Sequence, residues 1–150
     1  MTRLSRLMLA AGFILGFVRL TAADSMNMSG DMKKEILSSY VKVSAALAAD
    51  DLAAAKKAAA DVAGHAKMSS GYKAIAPKAD TVAKATKIDA AREAFKSLSA
   101  AVEPLAKGEK GYVVMNCPMA SADWVQTSKD VKNPYYGKSM LSCGAPKEMK

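Results

Sequence analysis

A chain of 150 residues, 51% hydrophobic but only 6% aromatic, is long enough for one domain, and much of its apolar content is alanine, which buries little area. A few large side chains must therefore supply the core. The formal charge of +8 becomes +5 when Arg3, Arg6 and Arg19 are set aside with the first 23 residues, leaving 19 Lys+Arg against 14 Asp+Glu. The lysines alternate with acids along predicted helices, which marks a solvated helical face and excludes a concentrated nucleic-acid surface.

The N-terminus has the pattern of a secretory signal peptide over residues 1–23. Arg3 and Arg6 form a basic start, Leu7–Val18 is apolar, and Thr21-Ala22-Ala23 supplies small residues before a cut at Asp24. The apolar run is too short to span a membrane, which takes about 20 residues, so a periplasmic location and a mature chain without a membrane span are expected. Export places the cysteines in an oxidising compartment. Residues 24–32 are expected to form a flexible lead. Its Met26 and Met28 are further candidate thioether donors for a soft metal.

The remainder, residues 33–150, is predicted to be a single helical domain. Ile36, Leu37, Tyr40, Val41, Ser44, Leu47 and Ala48 recur at helical spacing, predicting a helix over 32–49 with Asp31 at its start. Asp50-Asp51 separates it from an alanine-rich helix over 52–69, whose positive N-terminal end suits the two carboxylates. On that helix His65 and Met68 are three apart and share a face, a further candidate imidazole–thioether pair for a metal. Pro77 opens a short third helix over 78–86. Ala91, Phe95, Leu98, Val102 and Leu105 form the stripe of a fourth over 88–107, capped by Thr86 or Asp89, with Pro104 expected to kink it or end it early. The expected fold class is mainly α: an up-and-down bundle of about four helices with a small C-terminal β/loop segment.

That last segment, Tyr112–Gly144, holds both cysteines, the only tryptophan, three methionines and two of the five prolines. Tyr112–Asn116 has the composition of a short strand. Pro118 is expected to stop it and keep Cys117 extended, so that Cys117 and Met119 face one point. Met140 and Cys143, three apart, converge in a single turn. Asn133-Pro134 and Gly137 mark turns that fold one pair back on the other. Two thiolates and two thioethers suit soft Cu(I), with Ag(I) as the analogous ion. Methionine is a poor zinc ligand, and an iron–sulfur cluster takes four cysteines where two are present. Trp124 is expected to be a core anchor. From residue types alone, a Cys117–Cys143 disulfide is an equal reading, stabilising by roughly 3–4 kcal/mol. No enzyme is expected: His65 is the only histidine, and neither a nucleophile–base pair nor a Cys-x-x-Cys motif is present.

Cys117-Pro118-Met119-Ala120, the Trp124 segment, Asn133-Pro134-Tyr135-Tyr136-Gly137 and Met140-Leu141-Ser142-Cys143-Gly144 resemble a bacterial periplasmic domain of unknown function found alone or fused to adaptor subunits of copper/silver efflux systems. Ile36–Tyr40, Ala46–Asp51 and Arg92–Phe95 extend the resemblance into the helices. The stretch from Met119 to Trp124 is shorter here than in several relatives. The resemblance implies copper or silver handling, with Cys117, Met119, Met140 and Cys143 as ligands and efflux proteins as partners. His65 and the N-terminal methionines Met26 and Met28 are expected to lie outside the shared pattern.

Overall fold

The computed structural model describes residues 22–147, with side chains from Gly30 onward. Four helices come first: α1 (Ala22–Ala48), α2 (Leu52–Lys67), α3 (Ala76–Ala83) and α4 (Ile88–Ala106). A single 3₁₀ turn, Ser70–Tyr72, joins α2 to α3. Strands β1 (Val113–Cys117), β2 (Ala122–Gln126) and β3 (Ala145–Pro146) follow, forming an antiparallel sheet in the order β2-β1-β3. The chain is therefore a mainly helical, four-helix bundle with a small C-terminal sheet and loop segment, as its periodicity predicts.

The bundle is assembled by neighbours in sequence. α1 packs on α2, α2 on α3 and α3 on α4, while α4 and α1 together support β2. Alanines make the helix contacts close: Ala55, Ala58, Ala59, Ala63 and Ala66 are buried along α2. The large side chains are concentrated elsewhere, with Ile36, Leu37, Tyr40, Val43 and Leu47 on α1 and Phe95, Leu98 and Val102 on α4. Trp124 is fully buried, a core anchor as expected.

Four aromatic rings run as a spine from the bundle into the sheet segment. Tyr40 stacks on Phe95 at 5.2 Å, Phe95 meets Tyr135 at 5.8 Å, and Tyr135 meets Trp124 edge-on at 5.9 Å. Their polar ends are satisfied inside. The Val125 N–H donates to the Tyr40 hydroxyl at 3.3 Å, which in turn shares a 2.5 Å hydrogen bond with Ser99. Trp124 Nε1 donates to Gln126 Oε1 at 2.9 Å, and the Tyr135 hydroxyl donates to the Asp123 carbonyl. Hydrogen-bonded polar groups can sit in this core without the cost of unpaired burial.

Several local expectations need correction. The α1 backbone is helical from Ala22 to Ala48, so Asp31 lies within it rather than at its start. The fourth helix starts after Lys87, which makes no side-chain cap; Asp89 sits in the first turn. Pro104 lies inside α4 and the helix continues to Ala106. Proline has no N–H to serve the Ala100 carbonyl, but only two residues of helix follow it, and the Pro104 carbonyl accepts the Lys107 N–H at 3.4 Å. Asp51 does cap α2, its Oδ1 accepting the Ala54 N–H at 2.9 Å. The expected signal peptide falls on residues 1–21, outside the described residues, and on Ala22-Ala23 at the start of α1. Among the described residues no helix is long and apolar enough to cross a membrane.

A candidate dithiol centre

Cys117 ends β1, paired across the sheet with Ala122. The chain then turns sharply, the Ser121 N–H donating to the Pro118 carbonyl at 3.1 Å and Ser121 taking a positive φ of 50°. Cys143 arrives from the other direction. It follows the short 3₁₀ turn Gly137–Ser139, and its N–H donates to the Met140 carbonyl at 3.1 Å. The two sulfurs stand 3.6 Å apart as free thiols, Cys117 buried and Cys143 half-buried. Sequence spacing of 26 residues is thus converted into direct contact by the hairpin and the returning loop.

The turn also sets the electrostatics. Burial pushes the Cys117 thiol up. The Ala120 N–H, the Asn133 side chain, the Cys143 thiol and the Met119 N–H oppose this and hold it below the ordinary value of 9.0. Cys143 moves the other way, because its thiol serves the Cys117 sulfur and because burial and the charge on Cys117 disfavour a second thiolate. The pair therefore ionises first at Cys117, with Cys143 as the proton-bearing partner.

The two methionines are placed differently from the two cysteines. Met119 was expected on an extended chain, facing the same point as Cys117. Pro118 instead opens the tight turn, so the Met119 N–H serves the Cys117 sulfur while the Met119 side chain is 64% exposed. It lines an open cleft of about 210 Å³ with Asp89, Glu93, Lys96 and Tyr136. Met140 is half-buried, and the turn it begins contains Cys143. His65 and Met68 lie at the end of α2, which packs on α1 and α3, whereas β1 is bordered by β2, β3 and α4. Met68 is 72% exposed. The structure does not join this pair to the dithiol. The side chains of Met26 and Met28 fall outside the described residues. Among the described residues no group of three or more His, Cys, Asp or Glu gathers as a metal cluster.

The returning loop is fastened by Asn133, Arg92 and Asp50. Asn133 is fully buried and bonds across the loop to the Cys143 carbonyl. Arg92, with its side chain only 13% exposed, donates through Nε to the Pro134 carbonyl and through a terminal nitrogen to the Leu47 carbonyl, both at 3.1 Å. That nitrogen also pairs with the Asp50 carboxylate, whose second oxygen accepts the Lys138 N–H at 3.4 Å. Asp50 thus joins the corner after α1, the start of α4 and the sulfur-bearing loop. Gly137 has a φ of 56°, and a side chain there would overlap Asp50 and Arg92.

The Arg92 hydrogen bond holds the Asp50 carboxyl below its ordinary value of 3.8, aided by the Lys138 N–H and the nearby positive charges. A depressed carboxylate stabilises the fold above its unfolded value and loses that contribution as pH falls through the folded value. The acid-induced drop in Tm below pH 3.8 is therefore expected to be smaller in Asp50→Asn than in the wild-type protein. Equal drops in thermal scans would assign the acid sensitivity to other carboxylates.

A four-helix scaffold presenting a thiol pair on an appended hairpin and loop defines a small dithiol protein of mainly helical class. A family model described as "Protein of unknown function (DUF3347)" matches residues 36–111, just over half of the 150-residue chain, and the chain belongs to this family. No curated protein and no solved structure matches the chain. The matched segment runs from α1 through α4 and includes Asp50 and Arg92. It stops before β1, so Cys117, Met119, Met140 and Cys143 lie beyond it.

Proposed function

We propose that this chain is an exported, periplasmic carrier of Cu(I), with Ag(I) as the analogous cargo, and that it holds and passes on the ion without catalysing a reaction. The observation that carries this reading is the 3.6 Å separation of two free thiol sulfurs, one buried and one half-buried. Two sulfurs on one tetrahedral ion with metal–sulfur bonds of about 2.3 Å would lie about 3.8 Å apart. The pair is therefore close to the spacing that shared coordination requires. Thiolate softness selects a soft monovalent ion over hard cations. Burial of Cys117 limits competition by water, and the half-buried Cys143 gives the ion a way in and out. Met140 is the nearby thioether in the same turn, and the exposed Met119 stands on the solvent side for exchange. The N-terminal basic–apolar–small pattern supports export, and the resemblance to domains fused to copper/silver efflux adaptors supports such proteins as partners.

The test is an anaerobic Cu(I) titration of the mature protein against a chromophoric competitor, before and after reduction. One-to-one binding by the reduced protein is expected, with loss of that binding in Cys117→Ser/Cys143→Ser. A double-serine protein that competes as well as the wild type overturns the assignment.

The same 3.6 Å contact also favours a second reading, in which the thiols close to the about 2.05 Å of a disulfide. The chain would then be a stapled interaction module of the cell envelope, with no metal. Protein that lacks free thiols as isolated, and fails to compete for Cu(I) even after reduction, would favour this alternative.

A further inference from the structure

Cys117 is fixed by strand pairing, but Cys143 sits on a loop, so the contact between them needs something to hold the loop in place. We infer that Asn133 is the positioning residue that holds Cys143 against Cys117. It rests on reading the two cysteines as one working pair, and applies equally to a copper site and to a disulfide.

The Asn133 carboxamide is fully buried and used at both ends. Nδ2 donates to the Cys143 carbonyl at 2.6 Å. Oδ1 accepts the Tyr135 N–H at 2.8 Å and the Tyr136 N–H at 3.3 Å, an Asx turn that fixes the side chain relative to its own backbone. The Asn133 main chain adds two further ties, donating to the Leu141 carbonyl at 2.8 Å and accepting the Gly137 N–H at 3.0 Å. One residue therefore binds the outgoing limb of the loop, 133–137, to the returning limb, 141–143. The Cys143 peptide is held from both sides, by Asn133 at its carbonyl and by Met140 at its N–H.

The chemistry requires a donor and an acceptor on one short planar group. Aspartate keeps the acceptor for Tyr135 and Tyr136 but, when ionised, has no N–H for the Cys143 carbonyl or for the Cys117 sulfur that the carboxamide also serves. Alanine loses both functions. This separates the turn-forming role of residue 133 from its hold on Cys143.

The test uses the full chain free of metal, with a chelator present, in mixtures of glutathione and glutathione disulfide at neutral pH. One protein disulfide forms as one glutathione disulfide is reduced to two glutathione thiols, so the equilibrium constant reports how closely the protein sulfurs are held. Asn133→Asp and Asn133→Ala are each expected to lower that constant by about tenfold, the scale of one lost hydrogen bond. Val62→Ala, buried on α2, serves as the stability control and is expected to lower Tm while leaving the constant at its wild-type value. An unchanged constant in either Asn133 variant overturns the inference, as does an equal change in Val62→Ala. The Asn133 side-chain amide protons of the reduced wild-type protein should also exchange slowly with solvent. Fast exchange overturns the inference without any substitution. Because no metal is present, failure of the copper reading leaves these results unaffected.

Discussion

Phe95→Ala is expected to destabilise the protein by about 3–5 kcal/mol, the range for removing a buried aromatic ring from a packed core. Phe95 is fully buried, with Tyr40 stacked on one side at 5.2 Å and Tyr135 tilted on the other at 5.8 Å. Neither neighbour can readily collapse into the space. The Tyr40 hydroxyl is tied to Ser99 and the Val125 N–H, and the Tyr135 hydroxyl to the Asp123 carbonyl. A cavity would therefore remain where α1, α4 and the sulfur-bearing loop meet. Total stability is typically about 5–15 kcal/mol for a domain, so this one ring accounts for a large share of it. Urea unfolding at neutral pH measures the loss, and the midpoint should fall with little change in slope. A loss under about 1 kcal/mol would mean that the ring stack does not carry the core.

The helical part of this fold was legible because its signals are local. Ile36, Tyr40 and Leu47 on one helix and Phe95, Leu98 and Val102 on another keep a regular spacing, and each is buried. Chain punctuation was equally local, as Asp51 and Pro77 show by sitting at the starts of α2 and α3. Some punctuation misled locally, since Asp31 lies within α1 and Lys87, not Thr86 or Asp89, precedes α4; the remaining failures depended on partners distant in sequence. Asp50 looked like a helix-end carboxylate, and its pairing with Arg92 links positions 42 apart. Asn133 looked like an ordinary turn former, and nothing local marks its bond to Cys143. The second strand, Ala122–Gln126, went unread beyond Trp124 because its pairing with β1 decides it more than its composition does.

The candidate site divides along the same line. Convergence of Cys117 and Cys143 was anticipated from turn residues between them, and the sulfurs do meet. Placement of Met119 was not, because the extended geometry expected beside Pro118 gave way to a hairpin turn. That turn has a chemical consequence: it aims the Met119 and Ala120 N–H groups at the Cys117 sulfur. The Cys-Pro-Met run thus shapes the environment of the Cys117 thiol through its backbone. The family match ends at Gly111, so the scaffold is shared by family membership while the dithiol is argued from its own geometry.

Gly144→Ala is expected to damage both the fold and the dithiol. Gly144 has a φ of 137°, a conformation rarely adopted by residues with a side chain. An added Cβ would stand 2.7 Å from Trp124 Cη2 and 2.8 Å from the Asn116 carbonyl oxygen. The first neighbour is a fully buried ring and the second is strand backbone, so neither can move aside cheaply. Backbone strain and overpacking together should cost roughly 2–6 kcal/mol. The expected relief is a lift of Gly144 and its neighbour Cys143 away from β1, widening the gap to Cys117. Tm should therefore fall, and Cu(I) competition by the reduced protein should weaken with it. Gly64→Ala provides the opposite case: it is helical, has nothing within 4 Å of the new Cβ, and should stabilise α2 by about 0.5–1 kcal/mol without altering metal binding. If Gly144→Ala behaves like Gly64→Ala in both measurements, the glycine after Cys143 does not position the sulfur, and the Met-x-x-Cys-Gly pattern needs another explanation.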